Sequence, residues 1–95
     1  MPVTVTIQLI ARDRQTTLDV LAHALPITRT YQGCRYVNTL VQTDDPNKIV
    51  LIQGWDSRAE QEAYINWRQE TGDLQKLVST LSEPPLVEFW ELNPA

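Results

Sequence analysis

Tyr64-Ile65-Asn66-Trp67-Arg68 puts four groups suited to small-molecule chemistry into five consecutive residues. An amide such as Asn66 holds a carbonyl or an oxygen species by hydrogen bonds. A guanidinium such as Arg68 stabilises an oxyanion, and an indole such as Trp67 stacks on an aromatic ring. Tyr64 adds a ring with a polar handle. Each has a plainer use: Trp67 as core filling, Arg68 as a solvated cation, Asn66 as the cap of a local bend. Outside this stretch, Gln8 and Asn38 are candidates for a polar-lined sheet face, with water as the simpler neighbour. Trp55 and Trp90 suit core or interface anchors, and Trp55 is also a candidate substrate contact. Cys34 reads as a small buried hydrophobe rather than a nucleophile. His23 is the only histidine, and it lies off the apolar stripe of its helix. No partner residue stands at helical spacing from it, so it reads as solvated rather than as a general base or ligand.

Composition narrows the classes. The 95 residues read as one domain, residues 1–95, with an ordinary hydrophobic content of 42%. One Cys and one His leave no Cys/His metal site. A single cysteine also forbids an internal disulfide, in keeping with a reducing compartment. No apolar run approaches a membrane span, and the N-terminus lacks the pattern of a signal peptide. A cytoplasmic protein is the expectation. Net charge is −4, and the eight basic residues are scattered along the chain. Nucleic acid and anionic membranes both need a clustered positive surface, so neither is an expected partner.

Six elements, the second helix in two pieces, must position the candidates. Val3, Val5, Ile7 and Leu9 alternate with Thr4, Thr6, Gln8 and Ile10, a strand with one dry and one mixed face. Leu18, Leu21, Ala22 and Leu25 predict a helix over about 16–25, ended or kinked by Pro26. Cys34–Gln42 and Lys48–Trp55 read as a hairpin around Thr43-Asp44-Asp45-Pro46-Asn47. Ser57 and Glu60 have capping-box spacing for a helix with Ala59, Ala63 and Trp67 on one face and Tyr64 beside them. Gly72 predicts a break, and a further segment, 73–81, packs through Leu74, Leu77, Val78 and Leu81. The last strand is Leu86–Leu92.

Strand, helix, strand, strand, helix, strand is the order of a ferredoxin-like α+β domain: a four-stranded antiparallel sheet with its helices on one face. The run Ile49-Val50-Leu51-Ile52 is apolar on both faces, so the other side of the sheet needs a cover. A second copy of the chain, stacked sheet against sheet, is the expected one.

Several stretches resemble the antibiotic biosynthesis monooxygenase family. They are VTVTIQLIAR; LPITRTYQGCRYVNTL, with Pro26, Thr28, Arg29, Gly33, Cys34 and Tyr36; TDDPNKIVLIQGWDS, with Asp44, Asp45, Pro46, Trp55, Asp56, Ser57 and Arg58; and EPPLVEFWEL. The resemblance spans nearly the whole chain and implies a dimeric α/β-barrel. It also implies oxidation of a small electron-rich aromatic or quinol-type substrate by molecular oxygen, without metal or flavin. Oxygen is a triplet, but a deprotonated phenol or enol gives up one electron itself, so no cofactor is required. Related enzymes place pocket residues on the second helix, which points to Asn66, Trp67 and Arg68 as catalytic. Tyr64, Gln8, Asn38 and Trp55 would contact substrate. Haem-cleaving relatives carry a histidine on that helix; Ala63–Glu70 has none, which argues against haem chemistry. The alternative is a non-catalytic dimeric module that binds a small ligand or serves as a scaffold.

Overall fold

A computed structural model describes residues 1–95. Its elements are β1 (Val3–Ile10), α1 (Arg14–Thr30), β2 (Cys34–Val41), β3 (Lys48–Trp55), α2 (Arg58–Thr71), α3 (Asp73–Val78) and β4 (Leu86–Trp90). The strands form one antiparallel sheet in the order β2-β3-β1-β4. The ferredoxin-like α+β fold read from the sequence is the fold observed.

Register follows the alternation of β1. Val3, Val5, Ile7 and Leu9 pair with Trp55, Gln53, Leu51 and Ile49 of β3. All eight are buried on the helix side, and with Leu21, Leu25, Val37 and Tyr64 most of them form the core. The opposite face carries Thr4, Thr6 and Gln8 against Gly54, Ile52 and Val50. Leu40, Leu86 and Trp90 lie on that face about half exposed. Gly54 is required there: a Cβ on it would stand 2.1 Å from the ring of Tyr36, its partner on β2.

Helix α1 differs from expectation at both ends. Asp13 caps it, accepting from Thr16 N at 3.0 Å, so it starts before residue 16. It then runs through Pro26 to Thr30. A proline forfeits the bond to the carbonyl four residues back, here Ala22, which is exposed and has water available. Leu21, Leu25 and Thr28 continue the buried stripe across the proline, and packing outweighs the lost bond.

Helix α2 has the predicted capping pair: Glu60 N donates to Ser57 Oγ at 3.2 Å, and Ser57 Oγ donates to Glu60 Oε1 at 3.1 Å. Its buried face is Gln61, Tyr64 and Arg68, whereas Ala59 and Ala63 are exposed. Gly72 stops the helix with φ 83°, a conformation costly for residues with a Cβ. Helix α3 follows at once but ends at Val78 and buries no residue fully. The chain after it is pinned to the core. Leu81 is buried and bridges to Ala11, and Arg12 Nε donates to its carbonyl at 2.8 Å. No helix is long and apolar enough to cross a membrane.

Candidate functional site

A cavity of about 670 Å³ separates the helix side of the sheet from the three helices. Its walls are mostly apolar, from Ile7, Leu9 and Leu51 of the sheet to Leu74, Leu77 and Val78 of α3. Val87 and Phe89 of the edge strand β4 form its rim. Arg58 lies over the Phe89 ring, 4.0 Å from its centroid, and pairs with Glu62 at 3.5 Å.

One part of the wall is polar. Thr28, Tyr64 and Arg68 are each 5% exposed or less. Arg68 Nε donates to Tyr64 Oη at 2.7 Å, and the Tyr64 hydroxyl also hydrogen-bonds Thr28 Oγ1. Arg68 Nη2 donates to the Ala24 carbonyl at 2.7 Å, and Nη1 to Asp73 Oδ2 at 2.9 Å. The guanidinium thus joins α1, α2 and α3 while facing the cavity. Burial works against its charge, but the bonds to Tyr64 and Asp73 outweigh burial, and its pKa is raised. The hydroxyl of Thr71, and then Arg68, hold the Asp73 carboxyl below its usual range. Arg68 is therefore charged in a poorly solvated place with Asp73 as its countercharge, and two of its five N–H groups have no partner in the protein.

The structure brings together only part of the residue set read from the sequence. Tyr64 and Arg68 line the polar wall, and Asn66 lines the cavity from an exposed position. Trp67 is not in the lining. It stacks on Tyr31, centroids 5.3 Å apart and planes 27° apart, within an aromatic group that includes Tyr64. Trp55 is fully buried and packs against Tyr64 at 5.3 Å. Gln8 and Asn38 lie on the far side of the sheet, beside Leu86 and Ile52 respectively, and do not reach the cavity.

Three buried polar residues of the lining were not among the candidates: Thr28, Gln53 and Gln61. Gln53 had a legible signal. It falls in the alternation Ile49, Leu51, Gln53, Trp55, so a long amide occupies a core position. Gln61 lies three residues before Tyr64 and seven before Arg68, on one helical stripe.

A sheet with one helical layer, opening on a mainly apolar cavity with one charged wall, defines an α+β domain whose cavity has the size and lining common to small-molecule sites. The comparisons with known proteins narrow this class. Residues 2–72 match the family described as antibiotic biosynthesis monooxygenase, and the chain belongs to that family. No curated protein matches at the level of sequence. Among solved structures, Rv0793 from Mycobacterium tuberculosis aligns with a TM-score of 0.84 at 21% identity, over 100% of this chain and 98% of the other. SnoaB from Streptomyces nogalater, described as a cofactor-independent oxygenase, aligns with a TM-score of 0.86 at 13% identity, over 99% and 95%. A conserved protein from Methanosarcina mazei Go1 gives 0.88 at 10% identity, over 98% and 94%. At these identities the likeness is one of fold.

Proposed function

We propose that this chain is a cofactor-independent monooxygenase acting with molecular oxygen on a small electron-rich aromatic or quinol-type substrate held in the cavity. The observation that supports it most is Arg68, a buried guanidinium on the wall of an apolar cavity. A phenol or enol placed beside it ionises more readily, its proton passing to solvent water, because the oxyanion accepts charge-assisted hydrogen bonds from the two guanidinium N–H groups without a partner. The anion passes one electron to oxygen, and the resulting radical and superoxide combine through a new C–O bond to a peroxide. After protonation the peroxide loses water. For a substrate oxidised at a methylene carbon, that methylene and one molecule of oxygen give a carbonyl and one molecule of water, with the substrate itself as reductant. The apolar walls keep water from the intermediates. Arg68 holds the oxyanion, Tyr64 holds Arg68 in place, and Asn66 contacts the oxygen species from the rim. Family membership and the cofactor-independent activity named for SnoaB favour this chemistry.

Residues 1–95 act as one domain, paired through the open sheet face into a dimeric α/β-barrel. The half-exposed Leu40, Leu86 and Trp90 on that face support the pairing, and sedimentation at micromolar concentration tests it. A second reading has its own support. Both carboxylates at the cavity are paired, Glu62 with Arg58 and Asp73 with Arg68. No free base is left to take the substrate proton, which suits a non-catalytic binding module. Oxygen uptake by the purified, metal-free protein with anthrones, naphthols and quinols decides between them, with heat-denatured protein and Trp67→Phe as controls. Uptake above both the denatured control and spontaneous oxidation is expected. Silence across the panel selects the binding module.

A further inference from the structure

We propose that Gln53 and Gln61 form a second polar pole of the cavity, so that its ligand is a flat ring system bearing oxygen functions at both ends. The proposal rests on the reading of the cavity as the binding site.

Gln53 is 2% exposed and lies on β3 between Leu51 and Trp55, facing the helices. The indole Nε1 of Trp55 donates to its Oε1 at 2.9 Å. An indole nitrogen donates and never accepts. The bond therefore fixes which end of the amide is which: Oε1 is occupied, and Nε2 keeps two N–H donors for the cavity it lines. Gln61, on α2, is equally buried. Its side chain makes no hydrogen bond inside the protein, yet none of its polar atoms is sealed off without a partner. Gln61 lines the same cavity. Burying a primary amide is unfavourable unless its hydrogen bonds are made. Two such amides among Leu and Ile side chains, with capacity left over, point to a ligand that completes them.

The spacing indicates the ligand's shape. Gln61, Tyr64 and Arg68 follow one another on a stripe of α2. Tyr64 is about 4.5 Å along the axis from Gln61, and Arg68 a further 6 Å or so. Gln61 and the Tyr64–Arg68 pole are thus separated by roughly 5–10 Å along the helix, the span of one or two fused six-membered rings. Leu25, Leu51 and Ile65 supply apolar surface around that span. The cationic pole suits an oxyanion; the amide donors suit a neutral carbonyl or hydroxyl oxygen.

The test is calorimetric titration of the full chain, under argon to prevent oxidation, with 2-naphthol and 2,6-dihydroxynaphthalene. The diol is expected to bind at least about tenfold more tightly than the mono-ol. Gln61→Met and Gln53→Glu should each reduce that ratio to about threefold or less. Gln53→Glu retains an acceptor for Trp55 while removing the amide donors. Gln61→Met breaks no internal bond and decides the matter if the other variant does not fold. Gln69→Ala, on the exposed side of α2, should keep the wild-type ratio. A wild-type ratio near one, or an unchanged ratio in both glutamine variants, overturns the second pole. If 2-naphthol still binds in that case, the cavity remains the site. Failure of both probes to bind the wild-type chain overturns the cavity reading and the second pole together.

Discussion

Arg68→Met asks how much one guanidinium contributes to joining three helices. Its bonds reach the Ala24 carbonyl on α1 at 2.7 Å, Tyr64 on α2 at 2.7 Å and Asp73 on α3 at 2.9 Å. Breaking a buried ion pair ordinarily costs about 3–5 kcal/mol, because a charge is left stranded in the interior. Here no partner is stranded. Tyr64 keeps its bond to Thr28, and the Ala24 carbonyl keeps Thr28 Oγ1 at 3.2 Å. Asp73 keeps the Thr71 hydroxyl at 3.0 Å, and its side chain is 35% exposed to water. Methionine also replaces most of the apolar stem. The loss is therefore nearer that of two ordinary bonds, about 2 kcal/mol. In a domain of this size that lowers Tm by roughly 10 °C. The effect should be local as well, since α3 buries none of its residues fully and depends on this link. Scanning calorimetry reads the Tm, and amide hydrogen exchange should quicken across α3 more than across β1. Arg68→Lys should not restore the wild type, because an ammonium cannot satisfy three partners arranged around a planar fork. A Tm shift under about 2 °C, with unchanged exchange in α3, would refute the clamp.

Two further perturbations follow from the same geometry. The hydroxyl of Thr71 and the guanidinium of Arg68 depress the Asp73 carboxyl below its ordinary value of 3.8. The stability this supplies is complete above that value and is lost as pH falls through the lower folded one, so it begins to decline only below about pH 4. Thermal melts from about pH 5 to 2.5 should fall less steeply for Asp73→Asn than for the wild type; parallel curves in that window would remove Asp73 from the account. Gly54→Ala puts a methyl 2.1 Å from the Tyr36 ring and forces the ring away from its place on the open sheet face. If that face joins two copies, the dimer dissociation constant should rise by at least about tenfold in sedimentation velocity. An unchanged constant would take Tyr36 out of the interface.

The strands were legible because alternation is a statement about two faces, and both faces of β1 obey it: buried at Val3, Val5, Ile7 and Leu9, half-buried between them. The unbroken run in β3 was legible for the complementary reason. Ile49 and Leu51 meet the helices, while Val50 and Ile52 occupy the open side. Helix α2 misled, because a search for its buried face by hydrophobicity finds Ala59, Ala63 and Trp67. Two of these are exposed, and the face that is buried reads Gln61, Tyr64 and Arg68. An ordinary core would reject a glutamine and an arginine there, since each must keep its hydrogen bonds when it leaves water. Arg68 meets that condition with Tyr64, Asp73 and a backbone carbonyl, whereas the Gln61 side chain has no partner within the protein and lines the cavity. Periodicity counts apolar residues and is blind to a void, so it fails where polar side chains line one. The two residues that hydrophobic patterning left off that face, Gln61 and Arg68, are thus ones that make part of the cavity wall polar. Trp67 shows the converse: a side chain rich in chemical possibility was drawn into the aromatic packing of Tyr31 and Tyr64, away from the cavity its neighbours line.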